Sequence, residues 1–222
     1  MLIRLKLIYS MQEKPIRLYD FFKQGEIIKL KKGDKIDLFG SSKNKVRFLK
    51  KGFVGIFSNK KNGSKLLAVY GKGEIFPLVL VFGKLGNKFD CIALSAGELL
   101  TVSVNELKDH VRDNQEVMME LVDKLSNLKS YYMELVNNMI VPGVRNRMVD
   151  RLLFYANRFG KKKNGSIILN LPITQLQWGN SLSMTRETVA RTFGLLRKRG
   201  LIEYRKKTII ILDKAGLEKE LE

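Results

Sequence analysis

Metal and disulfide chemistry lack their usual residues in this sequence. Its 222 residues include one cysteine, Cys91, and one histidine, His110. A single cysteine can neither close a disulfide within the chain nor supply the four thiolates of an iron–sulfur cluster, and one histidine is too few for a typical zinc site. We therefore expect no metal, no iron–sulfur cluster and a reducing compartment. Cys91 itself is either a redox-active thiol or an inert core residue.

Long apolar runs are also missing. No run approaches the roughly 18 residues that cross a membrane, and the first eight residues alternate apolar and basic side chains, unlike a signal peptide. The sequence contains no paired carboxylates, nucleophile triad or cluster of metal ligands that would support an enzyme. We therefore expect a cytoplasmic protein that has no membrane partner and is not an enzyme.

Acidic residues are scarce relative to basic ones. The chain has 41 Lys and Arg against 22 Asp and Glu, a formal net charge of +19. Residues 142–212 hold fifteen basic and three acidic side chains, so a net +12 falls on this part alone. Positive charge concentrated in one half of a chain is the electrostatic footprint of a polyanionic partner.

The basic part contains the pattern of two short helices joined by a tight turn, over residues 173–202. In the second predicted helix, Val189, Phe193 and Leu196 recur at i, i+4 and i+7, an apolar stripe that must face a core. Thr185 suits the N-cap, and a glycine follows the basic last turn as a stop signal. The spacing predicts a helix-turn-helix.

The other side of the second helix carries Arg186, Glu187, Ala190 and Arg191. Arginine and glutamate in the first turns of a helix can contact base edges in a DNA major groove, and the small alanine permits close approach. Alternatively, Glu187 and Arg191 are an i,i+4 ion pair that only decorates an exposed helix. After Gly200, apolar runs on both sides of a basic segment predict a β-hairpin, the wing of a winged helix. These features predict DNA binding.

A resemblance to the DNA-binding domain of the Crp/Fnr regulators lies in residues 186–218, RETVARTFGLLRKRGLIEYRKKTIIILDKAGLE, and extends more weakly over nearly the whole chain. In the family's cyclic-AMP branch, positions matching Arg186, Glu187 and Arg191 contact the bases of a conserved half-site. One departure is Ser183, which stands where the family commonly has a turn glycine. The resemblance implies a transcription regulator that binds a palindromic double-stranded DNA site as a homodimer, with RNA polymerase as a further partner.

Contacts to the DNA backbone are predicted for hydroxyl and basic side chains around the two helices and at the wing tip. These residues are Thr174, Thr185, Thr188, Arg205, Lys206 and Lys207. A further amphipathic helix is predicted over 144–159, followed by a basic turn. Its Arg145 and Arg147, with lysines 161–163 of the turn, either contact phosphates or solvate a surface.

The N-terminal half is dominated by short apolar runs that glycine-containing turns separate, a texture typical of an antiparallel barrel or jelly roll. The resemblance makes it a β-roll sensor, similar to a cyclic nucleotide-binding domain. A short helix is predicted over 14–24. The expected fold class is α+β: a β-roll over 1–105, a dimerisation helix with its hinge over 106–141 and a winged helix over 142–222.

A long helix from about 105 to 140 carries apolar residues spaced alternately three and four apart. This is the a/d seam of a two-stranded coiled coil, whereas a helix lying on its own domain usually has a wider stripe. Met119 and Val136 widen the stripe on the side expected to face the β-roll. Pro142 and Gly143 end the helix and provide a hinge. We predict a dimer interface formed by Met118, Leu121, Leu125, Leu128, Tyr132, Leu135 and Met139.

The resemblance also bears on the effector. Family members that bind cyclic nucleotides have a Gly-Glu pair and then an arginine after the strand matching GEIF. Here no glutamate stands in that segment after Pro77, and the arginine position falls near Lys88 and Phe89. Lysine cannot clamp a phosphate with two parallel hydrogen bonds, so no cyclic nucleotide is expected, and His110 alone does not support a haem. Residues 76–82 either line an uncharged pocket or fill the barrel. The effector stays unidentified, and the alternative is a constitutive regulator whose β-roll binds no ligand.

Overall fold

The structure is a computed structural model that describes residues 17–39, 43–58, 64–79, 83, 89–205 and 207–221. Its N-terminal half consists of α1 Arg17–Phe22, β1 Glu26–Leu30, β2 Lys35–Ile36, β3 Lys45–Lys51, β4 Val54–Ser58, β5 Leu66–Tyr70, β6 Ile75–Phe76, β7 Phe89–Ala93 and β8 Gly97–Ser103. Two helices follow, α2 Val104–Arg112 and α3 Gln115–Ile140. The C-terminal part consists of α4 Val144–Phe159, β9 Lys161–Lys163, β10 Ser166–Asn170, α5 Gln175–Leu182, α6 Arg186–Lys198, β11 Ile202–Arg205, β12 Thr208–Ile211 and α7 Lys214–Lys219.

The strands of the N-terminal half form two antiparallel four-stranded sheets, ordered β1-β8-β3-β6 and β2-β7-β4-β5. In β3 every residue from 46 to 49 is buried, because one face of the strand meets the helices and the other meets the barrel interior. The predicted β-roll is therefore confirmed. Cys91 lies in this interior, and burial raises the pKa of its thiol to about 12. That environment favours the inert-core alternative for Cys91.

The predicted long helix is interrupted after Arg112. The Ser103 and Glu106 side chains form a capping box at the start of α2, and the Asn114 side chain accepts a hydrogen bond from the backbone of Val117 (3.2 Å) at the start of α3. Two N-caps within twelve residues make two helices where the apolar spacing predicted one. Within the described residues, no helix has both the length and the apolarity needed to span a bilayer.

The C-terminal part is a winged helix around one core. Helix α4 buries Met148, Leu152 and Tyr155, as its periodicity predicts. The strand order β11-β12-β10-β9 places the wing hairpin beside the strand that precedes the helix-turn-helix. Lysines 161–163, predicted as a basic turn, instead form β9, which pairs with β10, and the turn itself lies at Asn164 and Gly165.

The winged helix is docked on the β-roll. Phe57, Leu66 and Val69 of the β-roll belong to the same buried cluster as Trp178 of α5. Close by, Glu74 of the β-roll forms an ion pair with Arg158 of α4. This arginine also lies over the Tyr131 ring of α3, 3.9 Å from its centroid. The Tyr131 hydroxyl accepts a hydrogen bond from the Val69 backbone at 2.9 Å. The β-roll, the long helix and the winged helix therefore meet at one junction.

Candidate DNA-binding surface

The two helices of the helix-turn-helix are fixed by side-chain caps. Thr174 caps α5 in a capping box with Gln177, and Thr185 caps α6 by accepting from the Thr188 backbone at 3.1 Å. The link contains Ser183 in the left-handed conformation (φ 55°), the geometry that favours glycine. Just before it, a Cβ on Gly179 would lie 2.6 Å from the Met184 carbonyl oxygen, so the helices meet where only glycine fits. Ser183 therefore takes the turn conformation that the family gives to glycine.

The inner face of α6 is the predicted stripe. Val189, Phe193 and Leu196 are buried, and the Phe193 ring meets Trp178 edge-on at 5.9 Å. Thr192 is also buried, a placement that the apolar spacing could not reveal, and its hydroxyl donates to the Thr188 carbonyl at 2.9 Å. These contacts hold α6 rigidly against the core, which preorganises its outer face.

The outer face of α6 exposes Arg186, Glu187, Ala190 and Arg191. Glu187 and Arg191, both within the described chain, form no ion pair with each other at 4.0 Å or less. The pKa of Glu187 is instead lowered by a backbone hydrogen bond at its own amide and by the Thr185 side chain. The structure thus leaves Arg191 exposed and keeps Glu187 ionised at neutral pH, available as a hydrogen-bond acceptor.

A concave surface of about 540 Å³ joins the helix-turn-helix to the wing. It brings together three of the predicted site residues, Thr174, Arg186 and Lys207. Tyr204 and Leu176 line it as well, although nothing in their sequence pattern marked them as surface contacts. Thr185 and Thr188 stand at the start of α6, where their hydroxyls lie 3.0 Å apart.

The wing tip was predicted to present three free basic side chains, and one of them is paired in the structure. Arg205 forms an ion pair with Glu203 on the same strand (2.9 Å), which partly neutralises it. Lys207 is exposed, and the nearby ammonium group of Lys32, in the β1–β2 connection, lowers its pKa. Lys206 lies outside the described residues. Lys207 is therefore the described wing side chain best suited to a phosphate contact.

Two arginines of α4 have partners within the chain. Arg145 lies 3.4 Å from the Glu220 carboxylate, which also accepts two hydrogen bonds from Arg199, at 2.5 and 2.7 Å. Arg147 donates to the Val141 carbonyl at 3.3 Å. These contacts favour a structural role for both arginines over a phosphate contact.

The long helix α3 presents a different apolar stripe from the predicted seam. Leu121 and Leu135 are 0% and 7% exposed within the single chain, packed on the β-roll, so they are not available to a partner and their assignment to a dimer interface is wrong. Met119 and Val136, predicted to face the β-roll, are 56% and 57% exposed, and that prediction is also wrong.

The exposed stripe lies one position C-terminal to the predicted seam. Met118, Leu125 and Leu128 are half-buried against the β-roll cores, whereas Tyr132 and Met139 are exposed. Apolar side chains that point to solvent along α3 are Met119, Val122, Met133, Val136 and Ile140. Between them, Ser126 and Lys129 keep the same spacing of three and four and are also exposed. The heptad period is thus real, but its outward register is shifted by one residue.

Two family models match the chain. A Crp-like helix-turn-helix domain matches residues 146–220, and a cyclic nucleotide-binding domain matches residues 20–114. The chain is similar to the global nitrogen regulator of Nostoc, with 28% identity over 185 residues that cover 78% of each protein. It is also similar to the CRP-like cAMP-activated global transcriptional regulator of Mycobacterium tuberculosis, with 20% identity over 205 residues and 92% coverage of both.

Among solved structures, FixK2 from Bradyrhizobium japonicum has the same fold, with a TM-score of 0.75 at 16% identity over 87% of this chain and 96% of the other. The cyclic nucleotide-binding match lies on the β-roll and the first helix after it, and the helix-turn-helix match lies on the winged helix. The two relatives, which the alignments cover to 78% and 92%, are both transcription regulators by name. The chain therefore belongs to the Crp/Fnr family of DNA-binding transcription regulators.

Proposed function

We propose that the protein binds a palindromic DNA site as a homodimer and is controlled by a signal received at the β-roll. The observation that carries the proposal is the outer face of α6. Arg186, Glu187 and Arg191 project from a helix whose inner face is locked into the core, and the wing lies beside it. Arginine can form two hydrogen bonds with guanine O6 and N7, and glutamate can accept one from cytosine N4.

The second copy of the chain would bind along the exposed stripe of α3. Water-exposed methionine, valine and isoleucine at heptad spacing are the usual seam of a two-stranded coiled coil. Tyr132 and Met139 flank this stripe and stay in the proposed interface. A two-fold dimer presents two copies of α6, and two equivalent helices require a site with two-fold symmetry.

The β-roll is proposed to receive a signal other than a cyclic nucleotide. The cassette glutamate is missing after Pro77, and Glu74 in the preceding GEIF segment is already engaged by the Gly71 amide and by Arg158. The arginine position of the family's phosphate cassette falls next to Lys88, which lies outside the described residues. We propose no haem, metal or iron–sulfur cluster, because the sequence lacks their ligands. The signal would act by moving α3 and the winged helix about Pro142 and Gly143.

The remaining parts of the proposal follow from the family. A regulator of this kind acts on promoters in the cytoplasm, with RNA polymerase as its further partner, and performs no reaction of its own. The alternative is a constitutive regulator with a ligand-free β-roll. A metabolite that changes DNA affinity or melting temperature would exclude the alternative, whereas a library in which none does so would favour it.

Selection from a random DNA pool tests the proposal. The full chain should enrich an inverted repeat whose half-sites lie one helical turn apart, about 34 Å centre to centre. Each half-site should contain two G·C pairs for the arginines and a cytosine for Glu187, as in the TGTGA-like element of the family's cyclic-AMP branch. Enrichment of single half-sites without a repeat would contradict the dimer, and enrichment of no sequence would contradict specific binding.

A further inference from the structure

A cleft of about 310 Å³ enters the β-roll among β1, β2, β3 and β8, and Arg47 of β3 lines it as its most deeply buried charged group. Its walls include four aliphatic side chains, Ile28, Leu30, Ile36 and Leu99. Its outer part is formed by exposed side chains, among them Lys29 and Lys35. The cleft is thus open to solvent at one end and has a guanidinium group within the β-roll.

The guanidinium of Arg47 is incompletely paired. The side chain is 2% exposed, and two of its nitrogens donate to backbone carbonyls, Nη1 to Lys45 (3.1 Å) and Nη2 to Asp37 (2.6 Å). Its Nε has no acceptor among the described residues. Burial lowers the pKa of Arg47, and the nearby Cys91, Asp37 and Glu26 side chains oppose this only in part. Part of a buried positive charge therefore lacks its compensating oxygen.

A second buried donor lies next to the first. Thr101 of β8 is the cross-strand partner of Arg47, so both side chains stand on the same face of the sheet. Thr101 is 3% exposed, and within the described chain its hydroxyl has no hydrogen-bond partner. Buried polar groups in folded proteins are nearly always paired. Arg47 lines the cleft, and Thr101 stands directly across the sheet from it without lining the cleft itself. An unpaired buried donor at the cleft wall indicates that a molecule from outside the chain supplies the missing acceptor.

We propose that this cleft binds a small organic carboxylate. One carboxylate oxygen accepts from Nε of Arg47 and from the Thr101 hydroxyl, because a hydrogen bond between a guanidinium and a carboxylate is stronger than one between neutral groups. The carbon chain lies against the aliphatic walls, which an inorganic phosphate could not use. The proposal deepens the proposed function by naming the chemical class of the β-roll signal, but binding itself requires neither DNA nor a dimer.

Elsewhere in the described part of the β-roll, other side chains occupy the interior. Next to α3 the interior is filled by aromatic side chains, Tyr70, Phe76 and Tyr131, all nearly fully buried. The two carboxylates that line the cleft accept backbone hydrogen bonds on either side of β2, Asp34 from Lys31 (2.7 Å) before it and Asp37 from Phe39 (3.0 Å) after it. With Arg47, Lys29 and Lys35 against these two, the lining keeps one net positive charge.

Titration calorimetry and thermal melting of the full chain, without DNA, test the assignment with butyrate, butyramide and inorganic phosphate. Butyrate should bind in the millimolar range and, at about 20 mM, raise the melting temperature by about 4 °C. Butyramide, which has the same shape but no charge, should not bind. If none of the three binds, or if butyramide or phosphate binds as tightly as butyrate, the proposed ligand class is wrong.

Three variants locate the site. Arg47→Met should abolish butyrate binding. It also removes the hydrogen bonds to the Lys45 and Asp37 carbonyls, so a lower ligand-free melting temperature is expected and butyrate binding is measured well below it. Thr101→Val keeps the side-chain shape and should weaken binding about tenfold. Arg112→Met, an exposed arginine at the end of α2, is the matched control and should change nothing. If Arg47→Met does not fold, Thr101→Val decides alone, and unchanged butyrate affinity in that variant overturns the proposal. A failed DNA selection would leave these binding results standing, and the reverse also holds.

Discussion

Glu187 on the outer face of α6 has two alternative roles, a contact with a DNA base or a surface ion pair with Arg191. In the structure it does not pair with Arg191, and its carboxylate is held ionised by hydrogen bonds at the start of α6. A surface glutamate with no ion pair to support contributes little to stability. Its position between two exposed arginines instead suits a hydrogen bond from a base.

We predict that Glu187→Ala keeps its melting temperature but tolerates other bases where the wild type selects cytosine. Arg186→Ala and Arg191→Ala should each weaken specific binding by about 1–3 kcal/mol and relax preference at one base pair. DNA selection and titrations on single-base variants of the site measure both effects. Asp123→Ala, which truncates an exposed carboxylate of α3, serves as the control. A Glu187→Ala variant that selects the wild-type half-site would assign Glu187 a structural role.

Cys91 is expected to be chemically silent in the folded state. With a pKa of about 12, about one thiol in ten thousand is ionised at pH 8. Iodoacetamide should therefore alkylate the native protein far more slowly than the protein in urea, as followed by mass spectrometry. Rapid alkylation under native conditions would instead favour Cys91 as a redox-active thiol.

The same burial gives the stability of the fold a pH dependence. Because the folded thiol binds its proton more tightly than the unfolded one, whose pKa is about 8.5, the unfolded state releases the proton first as the pH rises. Cys91 should therefore lower the free energy of unfolding between about pH 8.5 and pH 12 and have no effect below that window. Urea unfolding of the wild type and Cys91→Ala at pH 7 and pH 10 measures the difference.

At the scale of elements, the wing contributes through charge rather than through base contacts. Arg205 is partly neutralised by Glu203, whereas Lys207 is exposed and borders the concave surface beside α6. We predict that Lys207→Gln weakens binding to specific and random DNA alike and reduces the salt slope by about one. Arg205→Gln should have a smaller effect, because its charge is already paired. Loss of specificity in Lys207→Gln, with an unchanged salt slope, would contradict this role.

If the exposed apolar stripe of α3 is the dimer interface, charges placed on it should prevent dimer formation. Met133→Glu combined with Val136→Glu places charges on the exposed stripe and should give folded monomers in sedimentation experiments, because neither side chain is part of the single chain's core. Leu121→Ala is the contrasting variant. It should lower the free energy of unfolding by about 2–5 kcal/mol through a cavity against the β-roll. A Met133/Val136 double variant that remains dimeric would place the interface elsewhere.

At the scale of the whole molecule, the hinge after α3 is bridged. Asn138, buried near the end of α3, donates to the Arg147 carbonyl (3.0 Å) and to Asp150 (2.7 Å), and it accepts two hydrogen bonds from Arg151. The ion pair between Glu74 and Arg158 adds a second connection, this time directly to the β-roll. The winged helix is therefore held in one orientation, and a signal has to break or exchange specific contacts to change it.

The ion pair can be tested by a double-mutant cycle. Arg158→Met leaves the mostly buried Glu74 carboxylate without its charged partner and should lower the free energy of unfolding by on the order of 2 kcal/mol. Glu74→Gln combined with Arg158→Met should cost less than the sum of the single variants. Urea unfolding gives the coupling, and small-angle scattering tests whether the winged helix separates from the β-roll in Arg158→Met. Additive single effects would mean that the pair does not couple the two halves.

The sequence by itself determined the elements whose signals are local. The inner stripe of α6, the Thr185 cap, the stop at Gly200 and the wing hairpin all follow from spacing and turn chemistry within about thirty residues, and the structure has each of them. The residues of the outer face follow from the same helical period. Periodicity is sufficient here because a helix with one apolar stripe has one way to face a core.

Only the tertiary structure decided which face of α3 meets the β-roll. Apolar residues recur at heptad spacing along two adjacent stripes of this helix, so either stripe could pack against the β-roll. In the structure the side that carries Tyr131 does so, and the Tyr131 hydroxyl accepts a hydrogen bond from the Val69 backbone. The tertiary structure also decided which face of β3, the strand that contains Arg47, is buried. Its alternation with Leu49 puts both on one face of β3. Whether that face points inward depends on the strands paired with β3, and the β8 residue opposite Arg47 is Thr101, more than fifty positions away. The charge at the cleft is thus a property of the fold that no local pattern contains.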